Sequence, residues 1–300
     1  MAPLRAIAEA LDRAEKRIIV RARKAFKPLR EQFIRDILDG RLEIYDVHKL
    51  AEAFRAGMLS AYIFSRAAIK GDIRKKLKES RKLAEEESYW AQLIKFILRA
   101  DKLLVQRLIR RKIDPMNYYF RPSDAVLQFL DGYTLQLAHV IQEDLLRSMT
   151  QWVRDTIQQG MSEREAIKYL ASKTKQFGER RLQKIARTEA TRAYNIGTLE
   201  ESHESDIVVG YKFDAVLDKR TTDICRARDG KFIPKSETEL LLHNTPPLHV
   251  NCRSRLVPVT EFDELPPAIM PSEWRDSRYL PKQRDYDIAN LRKILSTKLS

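Results

Sequence analysis

The first two-thirds of the chain repeats apolar residues at helical spacing. Residues 4–27 place Leu4, Ile7, Ala8, Leu11, Ile18 and Ile19 close to one helix face. A second helix is expected from an Asp46 N-cap through Lys70, with Gly71 as its C′ residue. Its stripe is Val47, Leu50, Ala51, Phe54, Met58, Ala61, Tyr62 and Ser65, a core face. A third, over 88–112, carries Trp90, Leu93, Ile94, Ile97, Leu104 and Leu108 on one side, and Asp114-Pro115 ends it. Ser123 caps a fourth running towards Gln159, with Gly132 a candidate kink and Gly160 the stop. Ser162 to Glu165 forms a capping box, opening a short helix to about Lys175. Gly178 is expected to separate it from a longer helix over 179–203.

After Ser205 the period changes to two. Ile207, Val209, Tyr211 and Phe213 alternate with Val208, Gly210 and Lys212, which predicts a strand. Lys231 to Ile233 and Arg255 to Val259 are its candidate antiparallel partners. Between Asp263 and Pro281, the prolines at 266, 267, 271 and 281 predict an extended strap, followed by a short helix around 284–297. The expected fold class is therefore mainly α with a small α+β C-terminal domain. Three regions follow: a helical region over 1–160, a helix pair with a short sheet over 161–262, and a tail over 263–300.

Composition adds a charge bias. The chain has 300 residues, and 56 Lys and Arg against 42 Asp and Glu give a net charge of +14. Such a surplus suits a polyanionic partner, because Lys and Arg that neutralise phosphates release counterions. The basic stretches over 70–82 and 95–112 supply Arg74, Lys75, Lys76, Arg110 and Arg111 as candidate DNA contacts. The first of these stretches contains no aromatic residue, so backbone contact fits better than base stacking. A solvated helix face is the plain alternative. Two cysteines form no disulfide framework, which suits assembly in a reducing cytosol. No run of 18 apolar residues occurs, and no membrane segment is expected.

The residues with chemistry lie between 186 and 259. They run in order as Ala186-Arg187-Thr188-Glu189, the strand, Asp218-Lys219-Arg220-Thr221, Cys225, Asp229-Gly230, and Pro246-Pro247-Leu248-His249-Val250-Asn251-Cys252-Arg253. This order resembles the head-morphogenesis domain of tailed bacteriophages, the family of Mu F-like minor head proteins. The resemblance covers about a third of the chain. It implies a minor capsid protein inside the phage head, assembled in the host cytoplasm and kept in the virion. Its implied partners are the portal protein, double-stranded DNA and other head or scaffold proteins. Its implied role is in head morphogenesis, DNA packaging or ejection, without catalytic turnover.

Cys225, His249 and Cys252 form the one metal-like constellation, with zinc the ion that this residue set would suit. His243, Asp218 and Asp223 are candidates for a fourth ligand. Free buried thiols and a Cys225–Cys252 disulfide stand beside the zinc reading. Arg187, Glu189, Asp218, Arg220 and Arg253 are read as structural. Arg187 or Arg253 is expected to bind Asp218 or Glu189 and lock the strand region onto the helix, and Glu189 to pair with Arg192 at i, i+3. His249-Val250-Asn251 also resembles part of an HNH-type nuclease motif, but no histidine follows residue 249. A metal-dependent nuclease and a zinc-containing DNA-binding protein are the alternative functions.

Overall fold

The computed structural model describes residues 4–38, 46–83, 122–269 and 281–296. The expected helix at 88–112, with Arg110 and Arg111, lies outside the described residues, as does the stretch 270–280. The protein is mainly helical, with a small three-stranded antiparallel sheet in its C-terminal part. The described elements are α1 (Leu4–Leu38), α2 (His48–Leu83), α3 (Asp124–Gln158), α4 (Glu163–His203), β1 (Val208–Asp214), α5 (Asp223–Arg228), β2 (Phe232–Pro234), α6 (Thr238–Asn244), β3 (Arg255–Thr260) and α7 (Pro281–Ser296).

Three expected helix ends are not ends. α1 continues past residue 27 through Pro28 to Leu38. Leu29 and Ile34 pack on the core beyond the proline, and tertiary burial of this kind offsets the lost N–H and ring clash. The Asp46 carboxylate accepts from the His48 N–H at 2.9 Å, but the first helical carbonyl acceptor is Val47, so the N-cap falls one residue after Asp46, and Gly71 sits inside α2 rather than after it. The segments either side of Gly178 form one helix, α4, of 41 residues. Gly178 is there for contact: a Cβ on it would lie 2.7 Å from Phe26 Cε1 on α1. Gly132 likewise lies within an unbroken α3, and Gly160, with φ of 60°, follows its end.

α4 is the organising element. α1 and α2 pack on each other and on α4, and α3 packs on α2 and α4. At the α2–α4 contact a Cβ on Gly197 would lie 2.6 Å from the Tyr62 carbonyl oxygen, so the two backbones approach closely there. Ser65 and Thr198 share a hydroxyl hydrogen bond of 2.8 Å across this contact, and Arg66 pairs with Glu201 at 2.8 Å. Every residue from Thr188 to Glu200 is buried. A helix enclosed on all sides normally has an apolar surface, yet this stretch holds Thr188, Glu189, Thr191, Arg192, Asn195, Thr198 and Glu200. Most of its polar residues reach a neighbouring element: Glu189 accepts from Tyr133, Thr198 meets Ser65, Glu200 accepts from Tyr62 through one oxygen, and Thr188, Thr191 and Asn195 bond to the chain between Asn251 and Leu256.

The sheet has order β2-β1-β3, both pairings antiparallel. The period of two breaks at one position. A bulge between Val208 and Gly210 turns Val209 outwards (37% exposed) and Val208 inwards (2%). Beyond the bulge Tyr211 and Phe213 are buried as expected. After β3 the chain runs alongside β2: the Phe232 N–H donates to the Pro267 carbonyl at 2.7 Å and the Ile269 N–H to the Phe232 carbonyl at 2.9 Å. α7 returns Ile288, Leu291, Ile294 and Leu295 to the core.

Candidate metal centre and its seam to the central helix

The Leu248–Arg253 segment is shaped by one residue. Asn251 has φ of 64°, a left-handed conformation that asparagine tolerates better than most residues. The turn it forms is closed by the Cys252 N–H donating to the His249 carbonyl at 3.2 Å. His249 and Cys252 thereby face the same point. Cys225, near the start of the short helix α5, supplies the third group. Its Sγ lies 3.1 Å from His249 Nε2 and 3.8 Å from Cys252 Sγ. All three ligand atoms lie within 4.8 Å of one another.

His249 is oriented from its far side, where Nδ1 lies 2.8 Å from the Val250 carbonyl oxygen. A donated Nδ1–H leaves Nε2 with its lone pair directed at the thiols. Thr222, the N-cap residue of α5, places its hydroxyl 2.9 Å from Nε2. Hydrogen bonding to Cys252 together with burial pushes the Cys225 thiol up. Burial opposes ionisation of Cys252, but hydrogen bonds from Cys225 and His249 outweigh it and hold that thiol well below the usual range. Burial lowers the His249 pKa and the Cys252 sulfur raises it, with a net rise. Both cysteines are buried free thiols. Cys252 is fully enclosed, which leaves its sulfur no path to a macromolecular substrate.

Among the described residues no fourth His, Cys, Asp or Glu joins this group. The fourth ligand expected from His243, Asp218 or Asp223 is not there. His243 lies on α6 beside Glu239, 4.0 Å away. Asp218 is occupied otherwise: Arg253 Nη1 and Nη2 donate to its two oxygens at 2.7 and 2.6 Å, and the Arg220 N–H donates to Oδ1 at 2.7 Å. Arg253 and the Arg220 amide hold this carboxyl well below the usual carboxylate range. The Arg220 side chain is exposed and only loosely paired with Asp218, at 3.5 Å.

Of the expected locks, Arg253 finds Asp218, but Arg187 does not reach the sheet region. It forks onto Glu15 of α1 at 3.0 and 2.9 Å. Arg187 follows Ala186 on α4 and faces the helical layer, so its partner comes from that layer. Glu189 pairs with Arg192 at 2.9 Å as the spacing predicts, and its other oxygen accepts from the Tyr133 hydroxyl at 2.9 Å. Both carboxylate oxygens are thus engaged inside the protein.

The residues that fasten α4 to the sheet region are Thr188, Thr191 and Asn195. Thr188 Oγ1 accepts from the Asn251 N–H at 2.9 Å, and Thr191 Oγ1 donates to the Cys252 carbonyl at 2.9 Å. Asn195 Oδ1 accepts from the Leu256 N–H at 2.8 Å. Their signal in the sequence is a polar stripe at i, i+3 and i+7 on one helix face, which is more readily read as a solvated face. Of the candidate DNA contacts, Arg74 and Lys75 are exposed on α2. Lys76 is part-buried and ion-paired with Asp263.

Residues 148–257 match the family described as Phage Mu protein F like protein. The match begins near the end of α3, takes in all of α4 and the metal-like cluster, and closes within β3. This segment, a little over a third of the chain, is similar to the Mu F-like phage head family. No curated protein and no solved structure matches it. Among the described residues no helix is long and apolar enough to cross a membrane.

Proposed function

We propose that the protein is a minor capsid component which docks on the portal inside the phage head, contacts DNA, and acts by positioning rather than by turnover. One observation carries the non-catalytic reading. The polar residues of the family-like motif are committed to internal bonds: Arg187 to Glu15, Glu189 to Tyr133 and Arg192, Asp218 to Arg253, and Thr191 to the Cys252 carbonyl. A general base must come within reach of a substrate proton, and Glu189 is buried with an internal donor on each carboxylate oxygen. These groups build a rigid junction between the helical layers and the sheet.

The DNA-contact part of the reading draws on charge and shape. An open cleft of about 330 Å³ between α3 and α4 is lined by Trp152, Lys173, Phe177, Arg180, Arg181 and Lys184. Its basic residues, with Arg74 and Lys75 on α2, suit phosphate contact without base reading. Full-length protein mixed with purified portal rings tests the docking part. Co-sedimentation with the ring at near-physiological salt is the expected result, and separate migration of the two argues against docking.

A further inference from the structure

We propose that Cys225, His249 and Cys252 bind one thiophilic divalent cation, with zinc the best match. The geometry is that of a partly assembled tetrahedron. Metal–sulfur bonds of about 2.3 Å at tetrahedral angles set two sulfurs ~3.8 Å apart, and the Sγ–Sγ distance here is 3.8 Å. A disulfide needs sulfurs at about 2.05 Å. The Cys225–His249 distance of 3.1 Å is slightly short for two ligands of one ion, and a small outward movement of the ring relieves it.

The surroundings match those of a ligand set. A metal-bound imidazole usually donates its remote N–H to a carbonyl or carboxylate, which fixes the tautomer. Here the Val250 carbonyl takes that place at 2.8 Å. The Cys252 carbonyl is held by Thr191, so the second sulfur's backbone is anchored to α4. Two sulfurs and one nitrogen select zinc over magnesium or calcium, which prefer oxygen. With no fourth protein ligand from His, Cys, Asp or Glu among the described residues, a water completes the shell beside the Thr222 hydroxyl. Binding releases the thiol protons to solvent. The ion then joins α5 to the His249–Cys252 turn, across 27 residues of chain from Cys225 to Cys252. This inference is independent of portal docking.

The test is cobalt titration of the full-length, reduced protein, followed by zinc competition. The expected result is thiolate-to-cobalt charge-transfer absorption that saturates at about one ion per chain and is abolished by zinc. Cys225→Ser and Cys252→Ser should each lose most of that absorption. His249→Gln should keep weakened absorption, with affinity lower by roughly 10–100-fold, on the order seen when a ligand shell is disturbed. If a serine variant fails to fold, protection of the wild-type thiols from alkylation by zinc, reversed by chelator, reads the same site. Absence of thiolate absorption with both thiols reduced overturns the proposal. So does full absorption in Cys225→Ser, or a Cys225–Cys252 disulfide in protein purified from a reducing cytosol.

Discussion

Thr191 on the central helix and Cys252 before the last strand are joined by a buried hydrogen bond of 2.9 Å, hydroxyl to carbonyl. Four residues further along α4, Asn195 repeats the device. Its Oδ1 accepts the Leu256 N–H at 2.8 Å, while its Nδ2 donates to the Thr191 carbonyl at 2.8 Å. The family-like motif is therefore a seam, in which helix side chains complete the backbone of a neighbouring sheet.

Asn195→Ala should be strongly destabilising. It leaves the Leu256 N–H buried without its acceptor, and an unsatisfied buried donor costs about 1–3 kcal/mol. Thr191→Val keeps the shape and orphans one carbonyl lone pair, so a smaller loss is expected. Chemical denaturation of the two variants gives the order. Equal stability of wild type and Asn195→Ala would contradict the seam.

Two glycines in α2 and α4 should respond oppositely to alanine. Gly197→Ala puts a Cβ against the Tyr62 carbonyl oxygen, within 2.6 Å, and the helices must separate. A lower melting temperature is expected, with a loss of roughly 1–3 kcal/mol typical of overpacking. Gly71 is exposed within α2 and has nothing within 4 Å of its position. Gly71→Ala should stabilise by about 0.5–1 kcal/mol through helix propensity. Thermal melts of the two variants decide both signs.

The Asp218–Arg253 fork gives the stability a pH dependence. The folded-state pKa of Asp218 is depressed, chiefly by Arg253. Its contribution is therefore fully present above the ordinary carboxylate pKa near 3.9 and is lost as pH falls below it. Asp218→Asn should lower the melting temperature at neutral pH and show a shallower decline between about pH 4 and pH 2. An acid decline as steep as that of wild type would remove Asp218 from this account.

DNA affinity should fall with salt in a sequence-independent way. Replacing Arg74, Lys75, Arg180 and Lys184 by Gln should make the slope of log affinity against log salt shallower, by up to about one unit for each phosphate left without its cation. Lys76→Gln should instead cost stability, because Lys76 holds Asp263 and, through it, the Thr260 hydroxyl and amide. A slope change from Lys76→Gln alone, with the other four neutral, would relocate the DNA-binding face.

Much of this arrangement is legible in the sequence. The switch from helical period to strand, the capping box at Ser162 and the convergence of Cys225 with His249 and Cys252 all follow from residue patterns. The Glu165 carboxylate does reach back to the Ser162 N–H, at 2.9 Å. What the pattern concealed is tertiary. Gly178 looks like a terminator because its reason for being small, the Phe26 ring, lies more than 150 residues away. Val208 and Val209 carry the same side chain, so a bulge that exchanges their faces leaves no trace in hydropathy. Thr188, Thr191 and Asn195 look solvated because the acceptors and donors that justify their burial belong to a segment about 60 residues further on.

We propose that the chain is a positioning component of the phage head, held at the portal. The most direct measurement is fractionation of purified procapsids and virions, with the chain followed through isolation of the portal ring and assayed for metal-stimulated DNA cleavage. The chain should remain with the ring in both particles and leave DNA intact with or without zinc. Absence from both particles, or DNA cleavage that is lost on His249→Ala, would contradict it.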